Sequence, residues 1–375
     1  SAVKVDYKLP FNEKVMFDMG SKYSYATIKS DVQMFNTFTN KVKDVKFSNQ
    51  FNFEESIKAV YLKSTLVLKK DVLDGNVGLR WERSDSKGYS VDLDSSMNRT
   101  IDRIFPSFSL SYQFSKKFGT SIAFSQRIDR PSYSTLNPYT YFLDPFTFEK
   151  GNPFIGPEIT NSYKMSFTFN KQPFLNFDYS KTIDAITLIV GQDESTGEGY
   201  AITKNLKSFE NYGMSLYFPI NFLKNLDGYG GIMGNYNVYQ SPDLLSNNNK
   251  LDKLSMTLFI EASYNITDDF EMGYNAWFNS GGLEGIMNYS KMWGMSLSAD
   301  FQTLDDQLTF SINWSDFYNG FFNSTIAYQN VRATLSNSFL TNRISFRVKY
   351  NFGNKYLKKA QVKNEAGSEE IRRVN

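Results

Sequence analysis

Carboxylates stand side by side at Asp268-Asp269 and at Asp305-Asp306, and the stretch Asp193-Glu194-Ser195-Thr196-Gly197-Glu198 gathers three more. Paired carboxylates are the raw material of general acid–base catalysis, and an oxygen-rich loop can hold Ca²⁺. Neither chemistry follows from these spacings. Both aspartate pairs lie in short polar stretches between apolar runs, where Asp is ordinary turn chemistry. The acidic stretch lacks the ligand spacing of an EF-hand and reads as a solvated hairpin tip. Gly228-Tyr229-Gly230-Gly231 is not a phosphate-cradling G-x-G-x-x-G, because Met233 occupies the last position. It sits inside a strand pattern and marks a bulge or a close approach. The 375 residues contain no histidine and no cysteine. That removes the usual general base, the commonest metal ligand, thiolate sites and disulfides. The expectation is a chain with no catalytic residues, no metal site and no cofactor, and so not an enzyme.

Charge adds little. Lys and Arg number 41 against 39 Asp and Glu, a net of +2, which gives no support to a nucleic-acid-binding surface. The aromatics are more informative. Phe 34, Tyr 24 and Trp 4 make up 17% of the chain, yet its mean hydropathy is negative. A transmembrane β-barrel reconciles the two, because only every second strand residue need be apolar and aromatic girdles mark both interfaces. No run of about 20 apolar residues exists to form a membrane helix.

The elements are strands. In Thr341–Phe352, Ile344, Phe346, Val348, Tyr350 and Phe352 fall on one side and Arg343, Ser345, Arg347 and Lys349 on the other. Strict alternation gives one apolar and one polar face. The same pattern recurs in Phe108-Leu110-Tyr112, in Tyr163-Met165-Phe167-Phe169, and in Leu254-Met256-Leu258-Ile260-Ala262-Tyr264. Short connections (10–13, 115–117, 170–173, 267–269, 302–306) alternate with long polar ones (31–50, 85–102, 129–158, 191–200, 240–250, 280–287). Short turns on one side and long loops on the other are the mark of a transmembrane barrel, with turns periplasmic and loops extracellular. The apolar faces therefore meet lipid, and Arg343, Arg347 and Lys349 face the lumen. About 15 strands are legible. Single-chain bacterial barrels have even counts, so an odd count implies that part of the barrel lies upstream.

At 127–158 the sequence runs RIDRPSYSTLNPYTYFLDPFTFEKGNPFIGPE. It resembles the outer-membrane β-barrel family of Bacteroidota TonB-dependent receptors, whose members carry R-I-x-R-P-x-Y-x-x-L-N-P, then Y-x-x-x-D-P and G-N-P-x-L-x-P-E. The departure is Phe154-Ile155-Gly156, where polar-Leu-polar is usual. YSKTIDAIT (179–187) and YNFGNKYLKKA (350–360) also look like the family, and the likeness covers essentially the whole chain. The resemblance implies an all-β fold, a 22-stranded antiparallel barrel in the complete protein with about 15 strands visible here. It also implies a plug domain, absent from this sequence, that engages the TonB system. Lumen-facing Arg343, Arg347 and Lys349 would pair with that plug. Lipid and lipopolysaccharide would surround the barrel, with a surface lipoprotein or another outer-membrane protein as a further partner.

The domain reading is a barrel over 1–352 and a basic tail over 353–375. The tail has six basic residues against three acidic and is expected to extend into the periplasm as solvated charge. Within the long loops, 129–158 is the most pre-organised. Its prolines (131, 138, 145, 153, 157) fix φ, and its aromatics supply either a small core of its own or a contact surface. Tyr139, Tyr141, Phe146 and Phe148 are the candidate ligand-facing residues. The function expected is import of a nutrient of unspecified class across the outer membrane of a Gram-negative bacterium. The alternative is a structural or accessory barrel subunit of an outer-membrane secretion or assembly complex.

Overall fold

The alternation becomes a single ladder in the computed structural model. It describes residues 1–352, apart from 37–40, 45–47, 92–93, 145, 243–248, 306, 316–320, 329–330 and 339–341, together with residues 367–374. Among these, fifteen strands form one wall in chain order. They are β1 (Ala2–Asn12), β2 (Val15–Val32), β3 (Asn49–Lys69), β4 (Leu73–Ser90), β5 (Ser95–Gln113), β6 (Phe118–Asp129), β7 (Glu158–Phe169) and β8 (Gln172–Gln192). The wall continues through β9 (Gly199–Pro219), β10 (Leu226–Gln240), β11 (Lys250–Asn265), β12 (Phe270–Asn279), β13 (Met292–Thr303), β14 (Leu308–Ser315) and β15 (Arg343–Tyr350). Each pairs antiparallel with the next. The edge strands β1 and β15 are not paired with each other among the described residues.

Cross-strand partners share a face, so the register tests the face assignment. Ile344 stands opposite Trp314, Phe346 opposite Ile312 and Val348 opposite Phe310, while Arg347 meets Ser311 and Lys349 meets Thr309. The apolar face carries a belt of rings across five strands, Phe124, Tyr163, Tyr179, Tyr212 and Tyr236, with successive centroids 4.9, 5.9, 4.9 and 6.2 Å apart. Directly beyond it lies an ion pair, Lys181 to Glu210 at 2.9 Å. An aromatic girdle with charge on its outer side is what an interface requires. Gly230 and Gly231 sit in regular ladder with no bulge. They are close approaches: a Cβ on Gly230 would lie 2.9 Å from the Phe218 ring.

An arginine at Leu258, in the middle of the apolar face of β11, is expected to cost about 2–4 kcal/mol. The same change at Ser263, on the opposite face of that strand, should cost less than about 1 kcal/mol. Urea unfolding in lipid vesicles reads the difference, and equal costs would mean the faces are misassigned.

The stretch 85–102, expected as a long loop, is instead mostly ladder. β4 and β5 pair from Ser90 opposite Ser95 down to Leu73 opposite Tyr112. Strands β3, β8 and β9 have 21 residues each, about 70 Å of chain at ~3.3 Å per residue. The apolar band needs only about 25 Å. The wall therefore stands well clear of that band at the long-loop end. Strand residues there lose their apolar alternation while their backbone groups stay paired, and this made them resemble a loop.

Two segments pack against the wall at that end. Residues 131–157 fold onto the polar, inner face, where Tyr133, Leu136 and Ile155 form a buried cluster with Phe51, Phe53 and Met97 of the wall. A small antiparallel sheet packs against β8 to β10. It comprises Gly282–Glu284, Met287–Tyr289, Phe321–Tyr328 and Val331–Ser338. Its Leu283, Ile286, Ile326 and Tyr328 are buried with Ala185, Ile189, Leu206 and Tyr239.

Of the tail, only its end is described. Lys355, Lys358 and Lys359 lie outside the described residues, but 367–374 contain a short helix, Ser368–Arg372, docked on the inner face. Arg373 is buried there. The end of the tail is not solvated charge, because the wall supplies partners for both signs of its side chains.

Candidate functional site

The site is built by the stretch 127–158, and many of its motif residues have structural tasks. Arg130 is almost fully buried, with 3% of its side chain exposed, between Glu82 (1%) and Glu55 (5%). It contacts the Glu82 carboxylate directly, and Arg80 holds the other oxygen of that carboxylate. Burial lowers the Arg130 pKa from the usual arginine value, opposed by the nearby carboxylates. Pro131 fixes the entry to a single helical turn, α1' (Tyr133–Leu136), capped by the Ser132 side chain, which accepts from Thr135 N–H. That turn drops Tyr133 and Leu136 into the core. The Tyr133 hydroxyl donates to Glu55 at 3.2 Å, and burial pushes its pKa well above the usual tyrosine value.

Asn137 ties the segment to two strands, donating to Ser30 at 3.0 Å and accepting from Asn49 at 3.2 Å. Gly151 passes so close to the Asn137 carbonyl that a methyl group there would overlap it. Asn152 donates to the Thr203 carbonyl at 3.0 Å. Arg99 of β5 donates to the carbonyls of Ile155 and Phe154 at 2.6 and 2.9 Å. Glu158 accepts from Ile186 N–H at 2.7 Å, and Asn205 bridges Gly156 and the Asp184 carbonyl. Asp184 has φ +56°, and the buried side of β8 changes parity there: Asn176 and Thr182 before it, Ala185, Thr187 and Ile189 after it. Two of the three sequence stretches that carry the resemblance, 127–158 and 179–187, are thus in contact.

Between α1' and β7 the segment forms a hairpin, Thr140–Asp144 with Thr147–Lys150. Its second strand adds parallel to β9, Thr147 opposite Gly199 through Lys150 opposite Ile202. It occupies the edge of β9 beyond the point where β10 ends, so no ladder hydrogen bonds are lost.

The four candidate aromatics are divided by this hairpin. Tyr139 and Tyr141 line one recess of about 280 Å³ with Asn137, Glu149 and Lys150. Phe146 projects from the tip, 73% exposed, and Tyr141 is 58% exposed. Phe148 is half-buried, stacked on Tyr200 at 6.1 Å and tilted against Phe142 at the same distance, so it packs the hairpin onto the wall. A larger cavity of about 580 Å³ lies between the base of this segment and the small sheet, lined by Arg127, Asp129, Glu158, Thr182, Phe209 and Tyr239. Arg343, Arg347 and Lys349 are exposed on the polar face of the edge strand β15 and line neither of these recesses. The acidic hairpin tip is turn chemistry: Asp193 accepts from the N–H groups of Ser195 and Thr196 at 2.8 and 3.2 Å.

Sequence reasoning missed Tyr133, Asn137 and Glu82. Tyr133 was visible as a loop aromatic, but nothing local distinguishes it from Tyr141. Glu82 sits in a strand whose alternation marks it only as inward-facing.

The docked tail uses the same charges. Arg373 contacts Glu55, donates to the Pro131 carbonyl at 3.0 Å and lies 4.2 Å over the Tyr133 ring. Tyr133 N–H donates to the Arg373 carbonyl at 2.9 Å. Lys22 of β2 pairs with Glu369 at 3.1 Å and Glu370 at 2.9 Å, and Arg130 with Glu369 at 3.2 Å. Burial would raise both tail carboxyls, but it is outweighed by Lys22, with Arg130 acting on Glu369, and both pKa values lie below the usual one. A carboxyl lowered in the folded state stabilises at neutral pH, and that contribution is lost as pH falls through the lowered value.

Solved structures that superpose on this chain include transporters and receptors. The FrpB iron transporter from Neisseria meningitidis (F5-1 variant) superposes with a TM-score of 0.64 at 15% identity, over 94% of this chain and 55% of that one. The copper transporter OprC gives 0.65 at 12% identity, over 94% and 56%. The siderophore receptor PirA from Acinetobacter baumannii gives 0.53 at 12%, over 84% and 49%. The chain thus spans about half the length of the solved structures it matches. Among curated proteins, none matches it in sequence. Residues 1–351 match the model of the outer membrane protein beta-barrel family. With fifteen antiparallel strands, an aromatic girdle and that match over nearly its whole length, the chain belongs to the outer membrane protein beta-barrel family.

Proposed function

We propose that this chain is the C-terminal part of the barrel of a TonB-dependent outer-membrane receptor that imports a nutrient ligand. The observation that carries the reading is the 131–157 segment. It is anchored on the inner face by its motif residues and presents Tyr141 and Phe146 outward at the long-loop end, with Tyr139 half-buried in the recess beside Tyr141. A rigid scaffold bearing exposed aromatics loses little entropy on binding. The motif supports a Bacteroidota-type receptor, with the long loops extracellular and the short turns periplasmic. In the complete protein a plug domain would couple to the TonB system, and Arg343, Arg347 and Lys349 would face it. Lipid and lipopolysaccharide would contact the apolar belt. The open edges of β1 and β15 would be covered by further strands of the same barrel. Strands of a partner barrel protein would serve equally, and that is what favours the second reading, an accessory barrel subunit.

A deletion strain grown on defined single nutrients tests the transport reading. Growth should fail on one limiting nutrient, and its uptake should require both TonB and an energised inner membrane. Uptake that persists without either would sink the proposal. Changing Tyr139 and Tyr141 together to alanine should weaken uptake affinity on the order of tenfold, the loss of roughly 1–2 kcal/mol of aromatic contact. Heat-resistant migration in detergent should be unchanged, since neither ring belongs to the buried cluster.

A further inference from the structure

We infer that the inner face carries a preformed peptide-docking site, and that the chain's own C-terminal segment, residues 367–374, is its occupant. The wall half of the site is complete without the tail. Glu55 is held by the Tyr133 hydroxyl and lies beside Arg130, and Tyr133 is held by Phe53 and Leu136. Lys22 stands on β2, whose backbone is paired on both sides. Together they offer three separate recognition elements: carboxylates for a guanidinium, an ammonium for carboxylates, and an aromatic face with an adjacent carbonyl.

The segment answers each one. The guanidinium of Arg373 is taken by Glu55, the Tyr133 ring and the Pro131 carbonyl. Glu369 and Glu370 are taken by Lys22. The Arg373 carbonyl accepts from Tyr133 N–H, so the backbone is read as well as the side chains. A partner that fits must therefore be a short peptide with two acidic residues placed three and four positions before an arginine.

Docking has a consequence for the segment above it. Arg373 bonds Pro131 and Tyr133, the first anchors of 131–157, so an occupied site holds that segment to the wall. Release of the tail loosens it.

The test uses the protein with its chain ended at Ala366 and a fluorescein-labelled synthetic peptide, GSEEIRRVN. Saturable binding is expected, with at least a tenfold loss for a peptide carrying Arg373→Glu. The intact chain should bind the labelled peptide at least tenfold more weakly, because its tethered segment competes at an effective concentration of about millimolar. Lys22→Glu should abolish binding of the native peptide and restore it for one carrying Glu369→Lys and Glu370→Lys. Equal binding by intact and shortened chains, or indifference to Arg373→Glu, would overturn the proposal. If the shortened chain does not assemble, Arg373→Glu in the full chain supplies the reading. Hydrogen exchange at 133–137 should then quicken at least tenfold, and unchanged exchange there would overturn it. None of these readouts involves uptake, so their failure leaves the transport reading standing, and failed uptake leaves this one standing.

Discussion

Replacing Glu82 with alanine is expected to destabilise the inner face by about 3–5 kcal/mol, the cost of leaving a buried charge without its partner. The stranded group is Arg130, whose remaining carboxylates are Glu55 at 4.0 Å and Glu369 at 3.2 Å. Arg80 loses its partner as well, but it is partly exposed and water can replace the contact. Glu82→Gln should cost less, because an amide oxygen still accepts a hydrogen bond; a hydrogen bond to a charged group is worth about 1.5–3 kcal/mol. Removing both Glu82 and Arg130 should be milder than the sum of the single changes, since neither charge is then left unpaired. The measurement is a urea midpoint in micelles for the single and double variants. A loss under about 1 kcal/mol for Glu82→Ala would mean that the pair behaves as a solvated surface bridge.

The wall was legible because its physics is local. In β11, Leu254 to Tyr264 alternate against Lys253, Ser255 and Glu261, and lipid on one face enforces the period at every step. The stretch 85–102 was not legible as strand, because above the membrane band the inner face is covered by the 131–157 segment and buries small polar residues such as Ser86 and Ser90, so the apolar signal disappears while the ladder continues. A polar strand and a polar loop differ there only in backbone pairing, which composition does not report.

The site was legible as a motif and not as a mechanism. Prolines and aromatics marked 129–158 as a shaped loop, but the anchors are distributed: Ser30, Asn49, Glu55, Glu82, Arg99 and Asn205 lie on five strands. Each is an isolated polar residue in a strand, with Asn49 and Glu55 sharing β3, and nothing in one strand reveals which loop it serves. The docking of residues 367–374 was not legible for the opposite reason. The tail's excess of basic residues suggested solvation as a block, whereas docking depends on the placement of Glu369, Glu370 and Arg373 one by one.

Truncating Phe53 to alanine separates the loop from the wall it rests on. Phe53 is 2% exposed, with its ring 5.7 Å from Tyr133 and 6.3 Å from Phe51. Loss of a buried phenylalanine costs about 3–5 kcal/mol, and here most of that cost falls on one contact. The backbone of β3 remains paired with β2 and β4 through Asn52 to Glu54, so the ladder does not depend on the ring. The Tyr133–Leu136–Ile155 cluster does depend on it, since those residues are buried only against Phe51, Phe53, Met97 and their neighbours. Barrel assembly and heat-resistant migration should therefore survive. Amide protection at 133–137 should fall by about two to three orders of magnitude, the equivalent of 3–4 kcal/mol at 1.4 kcal/mol per decade. Trypsin should cut faster at the exposed Lys150. If protection is unchanged, the segment is held by its polar ties to Asn49, Ser30 and Arg99 and the aromatic cluster is secondary. If the barrel instead fails to assemble, the cluster is part of the wall's own stability, and the division between a rigid scaffold and a docked recognition segment is wrong.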